Sequence, residues 1–201
     1  MRPEDPPSAR SLRARYRDHE RGQAGLRLLR GAGQRLARGG SPAEHLGDIL
    51  SEASAFLAMD SGAILRNTTG ALQVVASRGR ALPLDSQLVA TGAYAVTLRK
   101  GHPVVRNDVP SSLVIARNRN VATEVLVPLH HAGRGEGLLA LVSAAAAVSP
   151  DADDLQTLQS LGGVLGTALV ATAASAPDPG ASVEQQRVQS LLTPRELQVF
   201  A

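Results

Sequence analysis

Glu124-Val125-Leu126-Val127-Pro128-Leu129, followed after a Gly-rich connection by Gly137-Leu138-Leu139-Ala140-Leu141, is the stretch whose reading decides the fold. Val121 to His130 and Leu138 to Ser143 are apolar runs of strand length, and Ala132-Gly133-Arg134-Gly135-Glu136-Gly137 between them has hairpin-turn composition. A second hairpin lies upstream, where Ala63-Ile64-Leu65-Arg66 and Leu72-Gln73-Val74-Val75-Ala76 flank Asn67-Thr68-Thr69-Gly70. His102-Pro103-Val104-Val105-Arg106 is a further strand candidate. Leu84 to Lys100, apolar at positions 84, 88, 89, 93, 96 and 98, reads as mostly helical, and Asn107 to Asn120 as a polar stretch.

Helices bracket these strands. Ser41-Pro42-Ala43-Glu44 is a capping box, in which the Ser hydroxyl and the Glu carboxylate each satisfy an orphan amide. It opens a helix lined by Leu46, Ile49, Leu50, Ala53 and Leu57 that stops near Asp60-Ser61-Gly62. The closing helix starts at Ser149-Pro150, with Asp151, Asp153 and Asp154 at the positive end of its dipole. Leu155, Leu158, Gly162, Leu165 and Leu169 form one stripe on it, and Leu161, Val164 and Ala168 a second. Helix, two strands, helix, strand, two strands, helix is the order of an α+β domain with a mainly antiparallel central sheet and helices packed on it.

The 201 residues, 43% hydrophobic, suffice for a single core with modest appendages. Residues 1–10, with three Pro among alternating charges, read as a disordered start. Residues 11–40 read as a basic helical arm, with Leu12, Tyr16, Gln23, Leu26, Leu29 and Leu36 roughly on one face. Gly22, Gly25, Gly31 and Gly33 each weaken that helix by about 1 kcal/mol relative to Ala. Residues 1–40 carry ten Arg against four acids, a net of +6; the remaining 161 residues carry 11 basic against 14 acidic side chains, a net of −3. The basicity therefore belongs to the arm, and a basic nucleic-acid-binding face on the domain itself is not expected. A basic amphipathic arm can lie on an anionic membrane, touch nucleic-acid phosphate, or stand as a solvated or dimerising helix; with a single Tyr and a few Leu it has little apolar bulk, and the solvated or dimerising helix is the expected reading. Residues 42–174 form the domain, 175–190 a Pro/Gly linker, and at Thr193 a new helix begins.

The chain has no Cys, which removes disulfides, thiolate metal sites, Cys nucleophiles and thioether-linked chromophores. Its aromatic residues, Tyr16, Phe56, Tyr94 and Phe200, make no stacking platform for single-stranded nucleic acid. No apolar h-region occupies the first 25 residues, so a cytoplasmic protein is expected. Leu155 to Pro177 is uncharged, yet its Gln, Thr, Ser and Gly content makes it a buried helix rather than a bilayer span, and no membrane partner is expected.

Three segments together resemble GAF domains: Val89 to Asp108 (VATGAYAVTLRKGHPVVRND), the Glu124 to Leu141 hairpin, and the closing helix from Asp153-Asp154-Leu155 to Ala168. The resemblance covers about residues 42 to 173 and implies a GAF-like fold. Leu192-Thr193-Pro194-Arg195-Glu196-Leu197-Gln198-Val199-Phe200-Ala201 resembles the opening of a LuxR-type helix-turn-helix, with Thr193 capping and Glu196 completing a second capping box. The segment stops inside the first helix of that module, before any recognition helix. Together these resemblances imply a sensory or dimerisation GAF domain, cut from or left over from a bacterial LuxR-type transcriptional regulator. A small effector would then modulate DNA binding by a helix-turn-helix absent here. A GAF-fold protein interaction module with a filled cavity is the alternative, and packing, not sequence, distinguishes the two.

Departures from the family narrow the chemistry. The Asn-Lys, Phe and Asp-Glu pattern of cyclic-nucleotide-binding members has no match, and bilin attachment, sulfoxide reduction and iron–sulfur sensing need Cys. His102, His130 and His131 leave haem ligation formally open but read first as surface or hydrogen-bonded core residues. The resemblance places a ligand pocket between the sheet and residues 84 to 120. There Tyr94 brings a hydroxyl on an apolar body, Arg106 and Arg117 offer bidentate donors to a carboxylate or phosphate, and Asp108 and Glu124 can accept hydrogen bonds. Each of these also reads as a solvated side chain or local turn partner. No catalytic triad, metal-spaced cluster or phosphate loop can be assembled, so neither enzyme activity, metal nor cofactor is expected. A homodimer is expected through helices, with Leu26 and Leu29 of the arm and Leu158 and Leu165 of the closing helix in its seam.

Overall fold

The computed structural model describes residues 9–38, 42–69, 71–116 and 119–175. Along them run α1 (Ala9–Ala37), α2 (Pro42–Phe56), β1 (Ser61–Thr68), β2 (Ala71–Arg78), β3 (Gln87–Val89), α3 (Gly92–Lys100), β4 (Val104–Pro110), β5 (Asn120–His131), β6 (Arg134–Ser143) and α4 (Ala152–Ser175). Met1–Val170 forms one compact unit; of the second, Ala171–Ala201, only residues 171–175 are described. The strands make one sheet in the order β3-β2-β1-β6-β5-β4, with antiparallel neighbours throughout. This is the α+β architecture that the element order implies.

The sheet is covered on both faces, which is why its central strands read as unbroken apolar runs rather than alternating ones. Strand periodicity sends Val125, Val127 and Leu129 of β5 with Leu139 and Leu141 of β6 to one side, where Leu46, Ile49 and Leu50 of α2 and Leu158, Leu161, Leu165 and Leu169 of α4 meet them. Leu126 of β5 and Leu138, Ala140 and Val142 of β6 face the other side, under Tyr94 of α3 and under Leu113 and Val114 of the segment after β4. Each large aliphatic side chain so buried contributes about 1.5 to 3 kcal/mol.

Glycine sets how closely the α4 layer approaches. A Cβ at Gly162 would stand 2.5 Å from the Pro128 carbonyl oxygen, and one at Gly166 2.4 Å from that of His130, so helix backbone rests on β5 backbone one turn apart. Gly137 does the same within the sheet, where a Cβ would stand 2.0 Å from the Leu65 carbonyl oxygen.

Several expectations are corrected. The hairpin turn between β5 and β6 is only Ala132-Gly133, at φ 49° and 78°; this left-handed pair matches the twist of the flanking strands, and Gly135 and Gly137 belong to β6. The helix expected from Leu84 begins at Gly92, because Gln87 to Val89 pair with β2 instead. α4 is capped by Asp151 rather than Ser149: the Asp151 carboxylate accepts from the Asp154 N–H at 2.9 Å, and the Asp154 carboxylate from the Asp151 N–H at 3.1 Å. Ser41, Gly70, most of residues 1–10, the linker and the helix-turn-helix opening lie outside the described residues.

The seam expected between two copies is also corrected. Leu158 and Leu165 have no exposed surface, because both pack on the chain's own sheet. α1 covers the rest of that layer. Its inward face is Gly25, Leu28 and Ala32, not the face containing Leu26, which is 64% exposed, while Leu29 is half-buried against the same core. Small residues explain the shift of face: Gly25 brings the α1 backbone against Thr157 of α4, whose Oγ1 lies 2.9 Å from where a Cβ would stand.

Gly166→Ala is expected to cost about 1 to 3 kcal/mol in urea denaturation through overpacking. Gly163→Ala, on the exposed side of the same helix with nothing within 4 Å, should stabilise by up to about 1 kcal/mol. Equal signs for the two would refute backbone-on-backbone docking of α4. Leu158→Glu should abolish the cooperative thermal transition rather than separate two folded copies.

Candidate functional site

The side of the sheet under α3 carries the polar cluster. α3 ends at Gly101, whose φ of 74° needs no Cβ and whose N–H donates to the Thr97 carbonyl at 3.1 Å. Tyr94 and Thr97 are the buried residues of this helix. Strand alternation on β5 puts Glu124 on the same face as Leu126, among the apolar side chains of that layer.

Glu124 is 0% exposed, and three donors from three different segments meet its carboxylate. Tyr94 Oη donates to Oε1 at 2.9 Å, Ser111 Oγ donates to Oε1 at 2.6 Å, and Arg106 Nη1 donates to Oε2 at 2.6 Å. Ser111 Oγ in turn accepts the Leu113 N–H at 3.1 Å, which ties the segment after β4 to the cluster. A carboxylate taken fully out of water costs several kcal/mol unless it is paired and its oxygens are bonded. Both conditions are met here. Arg106, opposite Glu124 in the β4–β5 register, has a side chain 25% exposed, so of the two partners only Arg106 reaches water. Burial, and then the adjacent Glu124 charge, push the Tyr94 phenol well above its ordinary value of 10.0.

Of the residues expected to line a ligand pocket, the structure therefore brings together Tyr94, Arg106 and Glu124. Asp108 is not among them: it is exposed on β4 at φ 50°, a left-handed position that Asp tolerates better than most residues. Arg117 lies outside the described residues. Ser111 is the member that sequence reasoning missed. Its only signal was Ser111-Ser112 behind Pro110 in a polar stretch, and its partner is 13 residues away across a strand turn. The three donors bond to one another's acceptor rather than to open space, and Leu113, Val114, Val121, Leu126 and Leu138 pack around them. The cluster thus fastens α3, β4 and the segment after β4 onto β5.

A concavity of about 390 Å³ lies where α1, the end of α2 and the start of α4 converge. Ala24, Phe56, Leu57 and Val148 form its apolar lining, and Arg21 at its edge pairs with Asp151 at 2.8 Å. His102 is exposed, and His131 Nδ1 lies 3.2 Å from Thr167 Oγ1. Among the described residues no three His, Asp or Glu side chains are placed to hold a metal ion, and no helix is long and apolar enough to cross a membrane.

The sequence matches the family model described as the GAF domain over residues 41–169. Among solved structures, it is similar to the GAF domain of a candidate sensor histidine kinase from Pseudomonas syringae pv. tomato, at 25% identity over 89% of this chain and 99% of that one, with a TM-score of 0.54. It is also similar to the GAF domain of an Acinetobacter phosphoenolpyruvate-protein phosphotransferase, at 15% identity over 76% and 96% of the two chains, with a TM-score of 0.65. A phycocyanobilin-bound GAF domain from a cyanobacterial phytochrome aligns at 16% identity over 77% and 98%, with a TM-score of 0.60. No curated protein matches.

Arg106→Ala should cost about 3 kcal/mol, the lower end for breaking a buried pair because Arg106 is partly solvated, and Arg106→Met with Glu124→Leu should recover part of it. Raising the Tyr94 pKa in the fold stabilises the chain fully below pH 10.0, and that contribution is lost as pH rises above it, since the unfolded phenol ionises first. In a Tyr16→Phe background, phenolate absorbance should therefore appear only as the chain unfolds in alkali. Reversible ionisation of the folded chain near pH 10.0 would contradict the burial of Tyr94.

Proposed function

The chain belongs to the GAF domain family, and from that premise we propose that it is a regulatory input module of a bacterial signalling protein whose central site is closed by its own side chains. The observation that carries this is the buried cluster around Tyr94 and Glu124, in which the polar groups bond to one another and Leu113 and Val114 belong to the same apolar layer as Tyr94. A domain built so transmits through contacts with other protein segments, which is the interaction-module reading, and carries no catalytic step. The likeness to the candidate sensor kinase domain supports a signalling context.

The finer part of the proposal is a cytoplasmic transcriptional regulator. Leu192 to Ala201 has the capped, apolar pattern of a LuxR-type helix-turn-helix opening, a module in which bases are read by the recognition helix and not by the first helix. A homodimer suits a regulator of paired half-sites; with Leu158 and Leu165 committed to the core, its contacts fall to exposed surface such as Leu26.

Effector sensing is the second reading, favoured by the part-exposed Arg106 side chain, whose guanidinium an anionic ligand could engage in exchange for Glu124. Thermal unfolding against millimolar mono- and dicarboxylates, phosphates and nucleotides separates the two. The closed module shows no shift in Tm. A rise that Arg106→Lys abolishes would establish effector sensing instead. In gel shifts, residues 1–201 should show no sequence-specific promoter binding, because base readout needs a recognition helix. Specific, salt-resistant retardation by this chain would overturn the assignment of DNA reading to a later segment.

A further inference from the structure

The Arg residues of α1 are sorted by the docking of that helix. Arg21 pairs with Asp151 at 2.8 Å, and Arg35 pairs with Asp48 at 2.9 Å and with Glu52, whose hydrogen bond holds the guanidinium pKa above its ordinary value. These two face the domain and help to clamp α1 onto α2 and α4. Arg27, Arg30 and Arg38 are exposed and, among the described residues, meet no carboxylate. At about 100° per residue Arg27 and Arg30 stand roughly 60° apart on α1, and Arg38, in the turn directly after the helix, falls on the same outward side about 16 Å along when the helical path is continued. Glu20 is the described acid on that side of the helix.

We propose that this outward face of α1 is a binding surface for the phosphate backbone of duplex DNA, engaged without regard to sequence. Three features favour that occupant over other polyanions. Arg presents a planar fork that matches phosphate oxygens in pairs. Between residues 19 and 37 of α1, Leu26 is the one large apolar side chain exposed, too little on that stretch to anchor a helix in an anionic membrane. No aromatic side chain occurs between Tyr16 and Phe56, so a single strand finds no stacking partner on this part of the helix. The apolar residues Leu28 and Ala32 are consumed by the chain's own core, which leaves the cationic face outward. The surface is independent of any helix-turn-helix, since phosphate neutralisation requires no base reader.

The test is fluorescence anisotropy of residues 1–201 with a labelled duplex of arbitrary sequence over a salt series, with phosphatidylserine vesicles and a single strand of equal length as competitors. Weak, salt-sensitive binding is expected, equal for unrelated duplexes and competed poorly by vesicles or single strand. Arg27→Gln, Arg30→Gln and Arg38→Gln together should flatten the plot of log affinity against log salt by about 2.7, roughly 0.9 for each lost phosphate contact. Their Tm should be unchanged, as these side chains touch nothing in the core. No binding at low salt, an unchanged slope in the triple variant, or preferential capture by vesicles or single strand would each overturn the proposal. Specific promoter binding by the same chain would instead bear on the helix-turn-helix reading, so the two fail separately.

Discussion

A single buried carboxylate sets the arrangement of one whole layer of this domain. Glu124 has no contact with water, and its solvation is replaced by Tyr94 from α3, Arg106 from β4 and Ser111 from the segment that follows. β4 is also held by its ladder to β5, but α3 is only nine residues long, and the described part of the stretch after β4 is fixed by little more than the bridge of Val114 to Ala81. Because a buried ion pair breaks about even against well-packed hydrophobic side chains, its contribution here is better described as specificity than as stability. It fixes which face of α3 points inward and where the segment after β4 lies.

The opposite layer follows a different logic. There the helices carry long apolar stripes and need no polar register mark; distance is set by glycine. Gly162 and Gly166 let α4 rest on the carbonyl groups of β5, and Gly25 lets α1 rest on α4. Close approach brings Leu158, Leu161, Leu165 and Leu169 into one cluster with Leu28 of α1. The first stripe of α4 is thereby used within the chain together with Leu161 of the second, while Val164 and Ala168 stay half-buried outside that cluster. The sheet is trapped between a polar-registered layer and a glycine-registered layer, and the buried β5–β6 hairpin is the surface they share.

This difference accounts for what could be read from the residues. The hairpins, α2 and α4 depend on local pattern and capping chemistry, and their order was legible, as was the presence of Tyr94, Arg106 and Glu124 near one site. β3 was not, because three residues with Pro83 nearby carry too little periodicity to outweigh the apolar spacing of Leu84 to Leu98. Ser111 was not, because its role exists only once β4 and β5 pair. The face of α1 was misread for a more instructive reason. Counting Leu residues selects Leu26, whereas the contact is built from Gly25, Leu28 and Ala32, and small residues that permit contact look in sequence like residues that merely weaken a helix.

The charge asymmetry of the chain acquires a meaning from the same contact. The +6 arm and the −3 remainder are not two bodies joined by a linker, because α1 is packed into the core at Leu28 and Ala32. Docking partitions the described part of the arm: carboxylates of α2 and the α4 cap neutralise Arg35 and Arg21, and Arg27, Arg30 and Arg38 are left on the outside. A helix carrying Arg on all sides would repel itself and hydrate evenly. One with its inward charges paired presents a directed field, and direction is what steers association with a charged partner at distances within a Debye length, about 8 Å at physiological ionic strength. The pairing that fixes the helix to the domain is therefore also what gives the free face its orientation.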